Sequence, residues 1–485
     1  MRRSDPPVLA TTAGLAAAVA QRLPMLAVLS VLFLGFSFGP NLPLALLALA
    51  VFAIGWVILW RPGESAVLPI TFCLHWVGAA VAVFHANWLG IELFSYSNFG
   101  GDMDRATRLS LVGVLCLAVG MRLGTGAWRP YEAATARRIA LSHPVERWFL
   151  AYLLVSAASI LALGLGRLVP GLTQVMLAVA SLRWCFYYTL AYASFVRGNA
   201  TGPCFALAFF VELALSVGGY FSEFRTVFLV TIFAAFASGL RLTGRMQAGF
   251  AALVAALLCL SVIWTSVKVD YRSFVSEGRK EQIVTVDYAT RITKLAELTA
   301  NLDAQAIELG VDHLIRRLSY VDFLSAVLGY VPNHLPHEDG ALLADAVSRP
   351  FFPRALFPEK SVIDDTVRTN LYTGGLAGES EGTSISLGYI AETYIDFGVP
   401  GMFLALFGIG WTYGFTFRTL SRSRKAGPLL GMGLATFVLL SVGFLDSSIT
   451  KTGGGFAVSL LVAWLVLKTA VPLVLRWTTV PGAGR

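Results

Sequence analysis

Apolar stretches about as long as a lipid bilayer's hydrocarbon core is thick follow one another through most of this chain. A helix needs roughly 20 predominantly apolar residues to cross that core, and such stretches fall at about 23–38, 41–60, 65–86, 108–124, 145–165, 170–195, 202–221, 224–240, 246–267, 399–418, 427–445 and 454–475. A composition that is 56% hydrophobic and 14% charged leaves too little polar surface for a soluble fold of this length. In lipid, a bundle of helices satisfies each backbone polar group within its own segment. The sequence therefore predicts an all-α polytopic membrane protein with about 12 transmembrane helices.

One segment breaks the pattern. From Lys268 to Gly382 the chain is polar, and between Lys268 and Asp396 it carries 19 acidic and 12 basic residues, a mixture suited to a folded aqueous domain. This divides the chain into a tail over 1–22, a bundle of about nine spans over 23–267, a large mainly helical loop domain over 268–398, about three more spans over 399–475, and a tail over 476–485. The formal charge of +8 does not point to nucleic acid, because the excess lies in short loops beside the spans. Alternating the spans puts Arg2/Arg3, Arg61, the 122–147 loop, Arg197, Arg241/Arg245, Arg418–Lys425 and Arg476/Arg485 on one side. Positive charge marks cytoplasmic loops, so both termini are expected in the cytoplasm and the large loop outside. Residues 1–22 read as a cytoplasmic or interfacial tail rather than a cleaved signal, because the stronger apolar run begins only at Leu23. The five cysteines all lie in apolar stretches, which excludes a disulfide framework in the loop.

Within the loop, 284–310 and 312–330 have helical spacing, and Leu314, Leu318, Phe323, Val327 and Leu328 form an apolar stripe. Five prolines between 332 and 358 speak against helix there. Structure is expected to resume at Thr383 in a short helix that Gly398, Pro400 and Gly401 end before the next span.

The residues that could carry chemistry cluster in and beside this loop. Arg349-Pro-Phe-Phe-Pro-Arg354-Ala-Leu-Phe-Pro-Glu-Lys360 combines cations, aromatics and a stiff backbone, which suits an anionic lipid headgroup: arginine grips phosphate oxygens in a fork. In extended polyproline geometry Arg349 and Arg354 would stand about 15 Å apart. Arg225, at the outer end of an apolar stretch, is either a surface arginine or a second phosphate ligand. Arg183 and Glu212 lie near the middle of consecutive antiparallel spans. Each would cost roughly 2.5–3.5 kcal/mol facing lipid, so they are expected to face inward as a pair, structural or substrate-binding. On the helix after Thr383, Tyr389, Glu392 and Asp396 share a face, and a carboxylate there could act as a general base. Glu392 leads, ahead of Asp396 and Glu381. His334-Leu-Pro-His337-Glu338-Asp339 is a poor metal site, since the prolines spoil ligand geometry. No cofactor-binding motif is present.

Three segments together resemble the bacterial O-antigen and exopolysaccharide repeat-unit polymerases (Wzy type), and more distantly the O-antigen ligases. They are the Phe224-Arg225-Thr226 start of a span, the PFFPRALFPEK strip, and GTSISLGYIAETYIDFGVPGMF, where a short helix runs into a Gly-x-Pro-Gly span start. The resemblance implies a GT-C-like membrane glycosyltransferase in the bacterial inner membrane, with its loop in the periplasm. Such an enzyme needs neither metal nor other cofactor. It transfers a glycan from undecaprenyl diphosphate to a hydroxyl of the next lipid-linked repeat unit. Its partners are the undecaprenyl-diphosphate-linked oligosaccharide, the bilayer and a chain-length-regulating membrane protein. Arg225, Arg349, Arg354, Lys360 and Arg183 would then bind substrate, Tyr389 would orient the acceptor, and Glu392, Asp396 or Glu381 would take its proton. Ligases usually carry histidine where Ser386 stands, which favours polymerase. A transporter of lipid-linked sugars and a lipid-phosphosugar-dependent glycosyltransferase using Glu92, Asp102 and Asp104 are the rivals.

Overall fold

A computed structural model describes residues 34–127, 129–198, 202–216, 224–239, 244–278, 284–352, 357, 359–360, 364–378, 385–443 and 447–469. The helices are α1 (Leu42–Leu59), α2 (Val67–Trp88), the single turn α3 (Leu93–Tyr96), α4 (Met103–Thr125), α5 (Pro130–Ser142), α6 (Val145–Leu168), α7 (Thr173–Ser181), α8 (Arg183–Val196), α9 (Pro203–Ser216), α10 (Phe224–Ala237) and α11 (Gly244–Val275). The large loop contributes α12 (Tyr288–Ala300), α13 (Ala304–Leu318), α14 (Val321–Tyr330), α15 (Ala341–Ser348) and α16 (Asp365–Thr373), and α17 (Tyr389–Ser421), α18 (Gly427–Leu439) and α19 (Ile449–Lys468) follow. Among the described residues there is no strand.

Eight segments among the described residues are long and apolar enough to cross a membrane: α1, α2, α4, α6 (counted to Gly166), α7 and α8 together, the Ala251–Val275 part of α11, α17 and α19. The stretches expected at 202–221, 224–240 and 427–445 form shorter apolar helices. The described parts of α9 and of α10 are 14 residues each, about 21 Å at 1.5 Å per residue, and residues 217–223 between them lie outside the described residues. Most of the 23–38 stretch lies outside the described residues.

Two helices form the spine. Along α4 and α17, glycines four apart face each other's backbone: a Cβ at Gly410 would lie 2.1 Å from the Leu117 carbonyl oxygen, and one at Gly414 2.1 Å from that of Met121. In return, a Cβ at Gly120 would lie 2.1 Å from the Phe407 oxygen and one at Gly124 2.3 Å from the Trp411 oxygen. Small residues that let backbones touch are how helices associate in lipid, where no hydrophobic drive distinguishes neighbour from solvent. α17 is interrupted at Gly398, whose φ of 59° separates the short Tyr389–Phe397 segment from the long span. Only glycine suits that point, since a Cβ would also meet the His337 ring at 2.8 Å.

The arginine-bearing connections gather at one end. Arg61 and Arg122 both donate to the Gly126 carbonyl (2.6 and 3.0 Å), Arg422 donates to Ala127 O (2.6 Å) and pairs with Glu132 (3.5 Å), and Arg197 donates to the carbonyls of Ala140 and His143.

The large loop is not a free-standing aqueous domain. Its middle helix, α14, is sunk into the bundle, with Val321, Leu324, Val327 and Leu328 buried. Just before it, the Tyr320 amide donates to the carbonyl of Gly78, well inside α2 (3.1 Å). Asp322 latches α14 to the connection before α4, accepting from Ser97 Oγ (2.7 Å), the Asn98 amide (3.0 Å) and Asn98 Nδ2 (2.8 Å). The expected helices 284–310 and 312–330 each differ from what forms. Breaks at Asn301–Asp303 and Ser319–Tyr320 make three helices, with Asp287 and Asp303 capping α12 and α13. The proline-rich segment also holds more helix than its prolines suggest: α15 fits between Pro336 and Pro350, and Arg349–Phe351 continues it as a 3₁₀ turn. Pro350 sits in the first turn of that element, where its missing N–H costs no hydrogen bond.

Candidate functional site

Four helix ends converge where α15, α16, α17 and α19 meet. Asp364 caps α16, accepting from the amides of Thr366 (2.9 Å) and Val367 (3.3 Å), and so presents Asp365 and Arg368 on the first turns. Asp396 of α17 caps α15 from outside, accepting from the Leu342 and Leu343 amides at 2.9 and 2.8 Å, and α15 in turn presents Asp345 and Arg349. Ser448 caps α19, which presents Thr450 and Lys451.

The side chains so placed form one charged cluster. Arg368 Nη1 contacts Glu392 Oε1 at 3.0 Å and Thr450 Oγ1 at 3.1 Å, and Nη2 lies 3.7 Å from Asp345 Oδ2. Asp345 also binds Arg349 Nε at 2.8 Å, and Lys451 Nζ pairs with Asp365 Oδ2 at 2.7 Å. The second oxygen of Glu392 accepts from the Ile449 amide at the N-terminus of α19, where a negative charge is favoured. The Glu392 side chain is 1% exposed and that of Arg368 17%, whereas Lys451 is 43% exposed, so the cluster runs from a sealed carboxylate to an open cation. Asp365 Oδ1, equally buried, has no hydrogen-bond partner. Lys360 donates to the carbonyls of Arg349 (2.6 Å) and Phe352 (2.9 Å), which ties Lys360 to the Arg349–Phe352 turn beside the cluster.

The expected site residues divide. Glu392 and Arg349 are brought together, through Arg368 and Asp345. Both oxygens of Glu392 are engaged, so its geometry is that of a residue holding Arg368 and capping α19 rather than of a base facing an acceptor. Asp396 is likewise occupied as a cap. Tyr389 does not face the cluster: it is buried, and its hydroxyl meets His75 Nε2, whose Nδ1 bonds the Thr71 carbonyl at 2.6 Å. Lys360 spends two donors on backbone, and Arg349 lies in a helical turn rather than extended polyproline geometry. Arg183 and Glu212 do pair, Nε to Oε2 at 3.2 Å, with Tyr152 donating to the other oxygen at 2.9 Å, so both acceptor oxygens of Glu212 are used inside the bundle. Arg225 is exposed on the first turn of α10, which packs against α8, α9 and α11, whereas the cluster is built on α15, α16, α17 and α19. Arg354 and Glu381 lie outside the described residues.

Sequence reasoning missed Arg368, Asp345, Asp365 and Lys451. The Asp345–Arg349 pair has readable i, i+4 spacing, but it falls where the prolines argue against helix. Arg368 carries no local signal, because its partners lie 23, 24 and 82 positions away in the chain.

The surrounding polar residues are structural. His337 Nδ1 contacts the Ile395 carbonyl at 3.1 Å, and Tyr372 donates to Glu338 at 2.9 Å. Burial, reinforced by that carboxylate, holds the Tyr372 phenol above its ordinary range, so it stays a donor. In the connection before α4, Asp102 caps the helix through the Arg105 amide (2.9 Å) and Asp104 pairs with Arg108 (3.4 Å). Among the described residues no group of three or more His, Cys, Asp or Glu is placed to hold a metal.

A family described as a domain of unknown function, DUF8712, matches residues 85–444, most of the chain. The chain belongs to the DUF8712 family. The DUF8712 region contains Arg349, Arg368, Glu392 and Asp396 and ends just before α19, so Thr450 and Lys451 complete the cluster from beyond it. No curated protein matches the chain, and no solved structure does.

Proposed function

We propose that this protein is a GT-C-like membrane glycosyltransferase that polymerises undecaprenyl-diphosphate-linked oligosaccharide repeat units. The observation that carries the reading is the cluster around Arg368: a guanidinium fixed by buried Glu392 and Thr450, flanked by the Arg349–Asp345 and Lys451–Asp365 pairs, at the rim of an apolar bundle. A lipid diphosphate needs such a place, with cations at the rim and its tail in lipid. In the reaction an acceptor hydroxyl attacks the anomeric carbon of the donor glycan. The bond from that carbon to the diphosphate oxygen breaks, and the diphosphate leaves with the electron pair. Fixed cations lower the barrier by stabilising charge that grows on the leaving group. The hydroxyl proton passes to a carboxylate. We propose Asp365 for that task, since its buried Oδ1 has no hydrogen-bond partner and a donor diphosphate that draws Lys451 away would uncover it, while Glu392 holds Arg368.

In this reading the arginine-bearing end of the bundle is cytoplasmic, both termini lie there, and α14–α16 face the periplasm of a bacterial inner membrane. The short apolar helices and the 23–38 stretch complete twelve crossings. An impermeant thiol reagent should reach a cysteine at Ser348 and not one at Ser423; the reverse pattern would overturn the sidedness.

The activity test is polymer formation from purified lipid-linked repeat units without added divalent metal. Arg368→Lys keeps the charge and loses the planar fork, so it should impair polymerisation nearly as much as Arg368→Ala. Asp365→Asn should slow transfer by roughly 10²–10⁴-fold. Wild-type polymer from all three variants would end the proposal. In a deletion strain, single repeat units left on the lipid would support the polymerase, and polymer lacking its final attachment would instead favour a ligase.

A further inference from the structure

Helix α13 is two-sided in sequence, and three of the four residues of its apolar stripe are exposed. Ile307, Val311, Leu314 and Leu318 recur at i, i+4, i+7 and i+11 and so form one stripe. The contacts of the helix with the rest of the protein flank this stripe, through Ala306 and Gly310 along one edge and Arg316 opposite. A Cβ at Gly310 would lie 2.0 Å from Ser266 Oγ of α11, and Ser266 donates to the Ala306 carbonyl at 3.2 Å. Arg316 lies over the Tyr96 ring and donates to Asn98 Oδ1 at 3.0 Å. Ile307 is left 44% exposed, Val311 39% and Leu318 42%. A helix on a water-soluble domain turns such a stripe toward the core.

The depth of docking explains the inversion. Ser266 precedes Lys268, the first charged residue after an uncharged run that begins beyond Arg245. Few residues in the apolar part of α11 are fully buried by protein, and Leu258 is 54% exposed, so this helix presents an open apolar flank. The neighbouring α12 reaches the same level, where the Tyr288 hydroxyl donates to the Ala214 carbonyl (3.1 Å) near the end of apolar α9. Phe210 and Leu215 of α9 are themselves 64% and 60% exposed. The stripe therefore continues a surface that already meets hydrocarbon.

We propose that α12 and α13 are an in-plane membrane element, lying in the headgroup–acyl boundary of the leaflet on the large-loop side. Ile307, Val311 and Leu318 insert into the acyl boundary, while Arg291, Lys294 and Arg317 reach the headgroups. Both signs of charge occur along the two helices, so a zwitterionic bilayer suffices. This goes beyond the polymerase reading and stands without it.

Single nitroxide labels at Ile307→Cys, Val311→Cys, Leu318→Cys and Gln305→Cys, in protein whose five native cysteines are replaced, test it after reconstitution into phosphatidylcholine vesicles. Collisions with oxygen should exceed those with a water-soluble nickel reagent at the three stripe positions, with the order reversed at Gln305. Nickel access equal to that at Gln305 would place the stripe in water and overturn the proposal. Spin–spin broadening between labels would assign the stripe to a second copy and overturn it equally. If the cysteine-replaced protein does not fold, carbene photolabelling of the unmodified protein by a bilayer-dissolved reagent gives the same decision. Modification within 304–318 supports the proposal, and modification confined to the long apolar helices refutes it.

Discussion

The two halves of the large loop are built on opposite principles. In α14 the apolar residues are buried, and from α14 to the start of α17 charges are satisfied pairwise at depth: Asp322 by the 97–98 backbone and side chains, Asp396 by the α15 amides, Glu392 by Arg368 and the α19 amide. In α12 and α13 there is one buried residue, Gly310, and the ion pairs are local and open, as with Lys294 and Glu297. The difference shows how one polar stretch of sequence serves two media. The first half completes a protein core; the second rests on the outside of α11, where the bilayer supplies the missing contacts.

That comparison can be broken most decisively at Arg368. Arg368→Ala leaves Glu392 buried without its cation, and unfolding in detergent should lose about 3–5 kcal/mol, the usual cost of stripping one partner from a buried pair. A loss under about 1 kcal/mol would put the cluster in the same class as the open pairs of α12. Next is the spine that holds α17 in place. Gly410→Ala sets a methyl against the Leu117 carbonyl and should cost about 1–3 kcal/mol, read as a lower thermal midpoint. Between α12 and α13, Asp303→Ala removes the cap that accepts from the Ala306 amide at 2.7 Å, worth about 1 kcal/mol. Smallest is Lys294→Ala, which should change stability by no more than about 0.5 kcal/mol and vanish in high salt. An effect there as large as at Asp303 would mean that α12 carries more than a surface role.

Parts of the site were legible because their signals are local. The short helix ending at Gly398 and the pairing of Arg183 with Glu212 at matching depth follow from residues read in order. The glycines four apart at 120/124 and 410/414 were equally visible. Their meaning depends on facing each other, which a single stretch of sequence does not reveal. Tyr389 and Glu392 stand three residues apart on one helical face, yet their partners lie on α2 in one case and on α16 and α19 in the other.

By itself the sequence determined the helical class, the membrane as solvent and the common side of the basic connections. Hydropathy and charge act over one span or one loop, so they can be read without knowing what lies alongside. Only the tertiary structure decided that α14 sinks into the bundle to meet Gly78, that Glu392 is sealed against Arg368, and that α13 turns its apolar stripe outward. Each of these depends on contacts between segments far apart in the chain, and the free energy of burying a charge or exposing an apolar face is set by those neighbours rather than by the residue that carries it.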